Sequence, residues 1–263
     1  MLSLQKCYFM THGSLFSGIG GFDLAAEWAG WTNVFHCEIN PFGQKVLKYY
    51  WPNAISYDDI TKTDFTIHRG RIYVLTGGFP CQPFSVAGKR RGTADHRNLW
   101  PEYFRAIKEI QPLWVVGENV PGLLNWSAGL VFEQVQADLE SEGYEVWPVI
   151  LPACSVNAPH RRDRVWFVAY SCNGRQQGGD KGMSATPKFR HDEKNMFTAE
   201  LQRSEWADGL PRPRIFRDDD GLSERLDGIS IFKWRNESIK AYGNAIVPQV
   251  AYQIFRAINE FVI

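Results

Sequence analysis

The sequence predicts an α/β protein: a doubly wound, mostly parallel sheet with a small lobe inserted near its C-terminal end. Three observations carry this. Between Thr11 and Tyr170, short apolar runs alternate with segments of helical periodicity, the pattern of strands joined by crossover helices. After Tyr170 the periodicity stops: Gly174, Gly178, Gly179 and Gly182 interrupt a polar stretch, and Asp218, Asp219 and Asp220 follow a Pro-Arg-Pro-Arg run at 211–214. Periodicity returns at the end, where Ile246, Val250, Ile254, Ile258 and Phe261 recur about every four residues.

Taken in order, the candidate strands are 13–16, 34–38, 72–76, 114–118, 144–151 and 165–170, each a short run bounded by turn residues. The helices between them are 22–29, 41–50, 99–110 and 131–141; in the last, Phe132, Val135 and Leu139 fall on one face. The chain therefore divides into a first domain, 1–170, an insert, 171–235, and a C-terminal segment, 236–263. The amphipathic end of that segment packs back onto the first domain.

Composition bounds the function. With 263 residues, 44% of them hydrophobic, the chain buries one substantial core. Its formal net charge is zero, so a polyanion would have to be met by local basic clusters rather than by an overall field. The five cysteines, Cys7, Cys37, Cys81, Cys154 and Cys172, are scattered without a Cys-x-x-Cys pair, which argues against a zinc site and for reduced thiols. No stretch reaches the roughly 18 apolar residues of a membrane span, and no charged leader precedes an apolar run. The expectation is a cytoplasmic monomer with no metal and no membrane partner.

Five motifs carry chemistry. Phe16-Ser17-Gly18-Ile19-Gly20-Gly21-Phe22 leaves the first strand and opens the first helix, and Glu38 closes the next strand, where an acid can accept from both ribose hydroxyls of a nucleoside. This pair is equally compatible with a dinucleotide site or a tight turn. Gly77-Gly78-Phe79-Pro80-Cys81-Gln82-Pro83-Phe84-Ser85 puts Cys81 in a loop at a strand's C-terminal edge, where ligands of open α/β sheets bind. A lone cysteine is commonly inert and buried, but the flanking prolines and glycines argue for a shaped, functional loop. Glu118-Asn119-Val120-Pro121 ends another strand, its alternative being a helix cap. Arg161-Arg162-Asp163-Arg164, after Pro159-His160, is otherwise a solvated basic turn. Residues 242–248, Tyr-Gly-Asn-Ala-Ile-Val-Pro, read as a turn entering the terminal helix.

In this order and over nearly the whole chain, these motifs resemble the DNA cytosine-5 methyltransferase family of bacteria and phages. The Pro-Cys-Gln loop and Glu-Asn-Val are its signatures. The resemblance implies the S-adenosylmethionine-dependent methyltransferase fold: 1–170 as cofactor-binding catalytic domain, 171–235 as target-recognition lobe and 236–263 completing the catalytic domain. It implies S-adenosylmethionine as cofactor, with Phe16, Gly18 and Gly20 lining it, Glu38 on its ribose, Asp59 and Ile60 on its adenine, and Leu99 and Asn244 completing the pocket. It makes Cys81 the nucleophile and puts Glu118 on the N3 edge of a flipped cytosine. Asn119 then braces the Cys81 loop, Arg164 reaches the cytosine O2, and Arg162 holds the neighbouring phosphate. Double-stranded DNA is the implied partner, met by Ser85, Lys89, Arg90, Arg91 and Arg161, and a restriction endonuclease is the implied companion. Two positions depart from the family: His160 stands where Gln is usual, and Ile39 where an aromatic residue follows the ribose-binding acid. The other readings are a transfer-RNA cytosine methyltransferase, separable by offering both acceptors, and a catalytically silent DNA-binding module, against which Cys81, Glu118 and Arg164 stand.

Overall fold

The computed structural model describes residues 10–80, 99–172 and 231–262. Cys81, Ser85, Lys89, Arg90 and Arg91 lie outside the described residues, as does 173–230, most of the expected insert. Within the described residues the chain runs β1 (Thr11–Leu15), α1 (Gly21–Trp28), β2 (Thr32–Cys37), α2 (Pro41–Tyr50), β3 (Ile55–Tyr57), β4 (Val74–Gly77), α3 (Trp100–Ile110) and β5 (Trp114–Asn119). It continues with α4 (Leu130–Ser141), β6 (Tyr144–Pro152), β7 (Asp163–Ser171), α5 (Ile231–Asn244) and α6 (Pro248–Val262).

These strands form one seven-stranded sheet in the order β3-β2-β1-β4-β5-β7-β6. The first five are parallel; β7 pairs antiparallel with both β5 and β6. The chain winds outward from β1 to β2 and β3, then crosses back to β4 on the other side of β1. That reversal opens a crevice beyond the C-terminal ends of β1 and β4, the usual ligand position in open α/β sheets.

The predicted doubly wound α/β fold is the fold observed, and its elements stand within a few residues of expectation. α2 starts where Pro41 can take N1 and the Asn40 side chain can accept from the Phe42 N–H at 2.8 Å. Three features depart from expectation. β3 was not anticipated: its three residues are largely exposed, so no apolar run announces it. α5 begins inside the range assigned to the insert. Finally, Tyr242, Gly243 and Asn244 are the last turn of α5, not a free turn, and the link to α6 is only residues 245–247.

Two apolar layers sandwich the sheet. On one face, α3 and α4 cover Leu75, Val115 and Phe167 with Tyr103, Ile107, Val135 and Leu139. On the other, α1 and α6 cover Val74, Val116 and Trp166 with Phe22, Ala25, Ile254 and Phe255. Phe255 stacks on Trp31 at 4.4 Å between centroids, so α6 is bound to the body of the fold as the periodicity predicted. Each fully buried large side chain of this kind contributes about 1.5–3 kcal/mol. No helix among the described residues is long and apolar enough to cross a membrane.

Candidate active site

The parallel strands deliver four segments to one edge of the sheet. β1 leads into the glycine turn, β2 into Glu38, β4 into Gly78-Phe79-Pro80, and β5 ends on Glu118 and Asn119. β7 runs the other way, so its first residues, Asp163 and Arg164, return to that edge.

The glycine turn is held from below and from the side. Phe16, at φ 52, sits in the left-handed region, a conformation that costs a non-glycine residue about 1–3 kcal/mol and that a folded scaffold must impose. Gly18 has φ +58 with no atom within 4 Å of where a Cβ would stand, so conformation requires the glycine there. At Gly20, φ +86, a Cβ would stand 2.3 Å from the Trp51 ring, so both conformation and space require it. Laterally, the Glu38 carboxylate accepts from the Gly18 N–H at 2.6 Å and, through its other oxygen, from the Asn40 N–H at 2.8 Å. Burial pushes its carboxyl up, and those backbone donors pull it back.

Beneath the turn lies a polar network that sequence reading missed. Ser14 donates to the fully buried Asp23 carboxyl, 2.9 Å from each oxygen. Ser17 Oγ stands 2.7 Å from Ser14 Oγ and accepts from the Cys37 N–H at 3.2 Å. Burial pushes Asp23 up to about 7, against the Ser14 hydrogen bond. Next to it, the buried His12 ring lies 2.7 Å from Asn33 Oδ1 and 2.9 Å from Thr76 Oγ1, and burial pushes it down to about 4. The amide acceptor of Asn33 requires the proton on Nδ1, which leaves Nε2 to accept from Thr76. Polar residues at alternate positions of β1, His12 and Ser14, facing a helix, were the available signal.

Asp59 caps the 3-10 turn Ile60–Lys62: one of its oxygens accepts from the Thr61 N–H at 3.0 Å and the Thr61 hydroxyl at 2.7 Å. These Thr61 bonds, with Lys62 at 3.1 Å, hold its carboxyl below the usual range. Ile60 is buried in the core. Leu99 immediately precedes α3.

At the other end of the site, Glu118 stands opposite Trp166 in the β5–β7 register, which makes Arg164 its diagonal neighbour on the same face. The Arg164 Nε donates to Glu118 Oε1 at 2.8 Å, and both side chains are largely buried. Burial pushes the Glu118 carboxyl up; Arg164, then Arg162, pull it down. Glu118 Oε2 faces the segment after β4, since a Cβ on Gly78 would stand 3.4 Å from it. Asn119 donates to the Phe79 carbonyl at 2.9 Å and accepts from the Val120 N–H, tying β5 to the lead into Cys81.

Arg162, at φ 36, donates to the Gly243 carbonyl at 3.0 Å and the Ala245 carbonyl at 2.8 Å. It thereby fixes the α5–α6 link at the site, and a Cβ on Gly21 would stand 2.5 Å from Ile246 in that link. Asn244 is exposed in this position. Arg161 points outward and pairs with Asp163 at 2.9 Å.

Comparisons with known proteins point one way. The family described as C-5 cytosine-specific DNA methylase matches residues 10–211. The Type II methyltransferase M.Eco47II of Escherichia coli is 40% identical over 158 residues, 59% of this chain and 38% of that protein. The Type II methyltransferase M.MspI of Moraxella sp is 31% identical over 215 residues, 81% of this chain and 50% of that protein. Among solved structures, an E. coli prophage protein assigned as a DNA modification methyltransferase superposes with a TM-score of 0.55 at 26% identity, covering 63% of this chain and 48% of its own. The chain thus spans half or less of the length of these relatives.

Proposed function

The chain belongs to the C-5 cytosine-specific DNA methylase family, and from that premise we propose that it transfers a methyl group from S-adenosylmethionine to carbon 5 of a flipped-out cytosine in a specific sequence of double-stranded DNA. The observation that carries this reading is convergence. A glycine turn with an anchored acid, the lead into the Cys81 loop and a buried Glu118–Arg164 pair all meet at the crevice where the strand order reverses.

The residues present fit the cofactor. A Cβ at Gly18 would meet nothing within 4 Å, so the turn is open there, and the Glu38 and Asp59 carboxylates would accept from hydroxyl and amino groups of a nucleoside. Phe16, Gly18, Gly20, Glu38, Asp59, Ile60, Leu99 and Asn244 would hold it. When bound, it supplies an electrophilic methyl group on a sulfonium.

Carbon 5 of cytosine is too weak a nucleophile to take that group unaided. The Cys81 thiolate adds to carbon 6 while Glu118 gives a proton to N3, and the electron pair moves to carbon 5, which then accepts the methyl group. Loss of the carbon 5 proton to a base expels Cys81 as thiolate and restores the ring. An ordinary thiol, with a pKa of about 8.5, is only a few per cent ionised at neutral pH, so the reaction needs a positive neighbour such as Arg164. Glu118 needs the opposite help, and its burial supplies it. Asn119 holds the loop from behind. Carbon 6 is covered inside a stacked duplex, so the base must be extruded.

We assign sequence choice to residues 171–235, in the major groove, phosphate contacts to Ser85, Lys89, Arg90, Arg91 and Arg161, and a companion role with a restriction endonuclease on the Type II names of the relatives. Bisulfite sequencing of plasmid from an expressing host identifies the site. An oligonucleotide carrying 5-fluorocytosine there should then trap a covalent complex, because fluorine cannot leave as a cation. The adduct should require S-adenosylmethionine, survive denaturing electrophoresis and map to residues 78–85. Cys81→Ser should form none; an adduct mapping to Cys154 or Cys172 would overturn the mechanism.

A further inference from the structure

Arg105, in the middle of α3, is not among the residues the family signatures single out, yet its guanidinium makes four hydrogen bonds, two of them to the chain that follows Asp59. Its Nε donates to Glu102 at 2.8 Å and one terminal nitrogen to Glu109 at 2.6 Å, so two carboxylates one turn away on either side orient the guanidinium. Its remaining donors turn to the chain between β3 and β4: Nη1 reaches the Thr63 carbonyl at 3.1 Å and Nη2 the Ile60 carbonyl. The second oxygen of Glu109 accepts from the Phe65 N–H at 2.9 Å. The guanidinium also lies 6.0 Å from the centre of the Phe65 ring. One side chain and its oriented partner thus fasten residues 60, 63 and 65 to a single helix.

Ile60 and Phe65 anchor this segment in the core by their side chains, which leaves its backbone carbonyls to be met by Arg105. The 3-10 turn Ile60–Lys62 has no room for a regular ladder, so the carbonyls of Ile60 and Thr63 need partners from outside. A planar, always-charged fork matches two carbonyls at fixed separation, whereas an ammonium supplies one mobile point charge. The helix that carries Arg105 begins right after Leu99, so the clamp joins two walls of one pocket.

We propose that Arg105 is a positioning residue for methyl-donor binding: it sets the Asp59–Ile60 wall against the α3 wall and never touches the reacting atoms. The proposal rests on the reading of the site as an S-adenosylmethionine pocket. Its test uses the full chain, with S-adenosylhomocysteine titrated by calorimetry and KM for S-adenosylmethionine measured beside kcat.

Arg105→Ala should raise the Kd of S-adenosylhomocysteine and the KM of the methyl donor about tenfold, the loss expected for charge-assisted hydrogen bonds. kcat at saturating donor and KM for DNA should stay within about twofold of the parent. Arg105→Lys restores the ion pairs along α3, and with them the melting temperature, but not the affinity. Glu109→Gln must give up either the guanidinium or the Phe65 N–H, so it should raise Kd about threefold; it carries the test where the alanine variant does not fold. Unchanged affinity in Arg105→Ala, or affinity that returns with the melting temperature in Arg105→Lys, overturns the clamp. A parent protein that binds no S-adenosylhomocysteine overturns the pocket itself, a different failure from loss of the clamp alone.

Discussion

Asp23 and Glu118 are both buried carboxyls whose pKa burial raises, yet their surroundings differ in kind. Asp23 lies in the first turn of α1 and meets hydroxyl and amide groups: Ser14 donates to it, and its own backbone N–H assists. Glu118 ends β5 beside a cation, and the Arg164 guanidinium takes back part of what burial adds. With no counter-cation beside it among the described residues, the Asp23 carboxyl is pushed up to about 7 and holds its proton through the acidic range as a structural group. One paired with arginine keeps an orientation and a proton affinity that a substrate entering the crevice can alter. On the proposed mechanism, the same desolvation serves support under the glycine turn and chemistry at the strand edge.

The difference between the two carboxyls is greatest in turnover, at Glu118. Glu118→Gln should lower turnover about a hundredfold or more, the scale of a lost general acid, while calorimetry finds cofactor affinity unchanged. A matching collapse of both would make Glu118 a structural acid like Asp23. Removing the paired cation tests the role of Arg164: in Arg164→Leu only Arg162 is left to oppose burial, so the Glu118 carboxyl should rise and keep its proton to higher pH. The alkaline limb of the residual methylation rate, or a carbon-13 titration of that carboxyl, should move upward; a downward movement contradicts the role given to Arg164.

For Asp23 the readout is stability. Its folded value of about 7 lies above its ordinary 3.8. The folded state then holds the extra proton between those values, so the stability it contributes is full below about 4 and is lost as pH rises to 7. Asp23→Asn removes that loss. The melting temperature of the variant relative to the parent should climb across this window and level off above it. His12 acts with opposite sign, since its depressed value of about 4 makes stability fall as pH drops below 6.5. Both proteins share it, so it cancels in the difference. A flat difference would mean that Asp23 is ionised throughout. The smallest effect belongs to Ser14→Ala, which removes one donor from a buried acceptor and should cost about 1–3 kcal/mol in denaturant unfolding.

Much of the candidate site is legible in the sequence. The glycine turn, Glu38 and the Glu118-Asn119 pair are consecutive residues at strand ends, and strand ends show in the pattern of apolar runs. Arg105 was not legible, because its partners are carbonyls more than forty positions away and a backbone acceptor leaves no mark on residue type. β3 escaped because its residues are largely exposed. α5 escaped because its residues from 235 to 244 are mostly exposed, with only Ser238 buried, so no apolar stripe announces it.

By itself the sequence determined the alternation of strands and helices, the docking face of α6 and the residue types at the crevice, since these follow from local periodicity and from what glycine, cysteine and carboxylate groups can do. Only the tertiary structure decided that β7 runs antiparallel and so brings Arg164 diagonally to Glu118, that Arg162 is spent on the carbonyls of Gly243 and Ala245, and that Asp23 is sealed with no cation beside it among the described residues. Pairing register and burial depend on which distant segments meet, and the energies of a buried charge depend on nothing else so strongly as on that meeting.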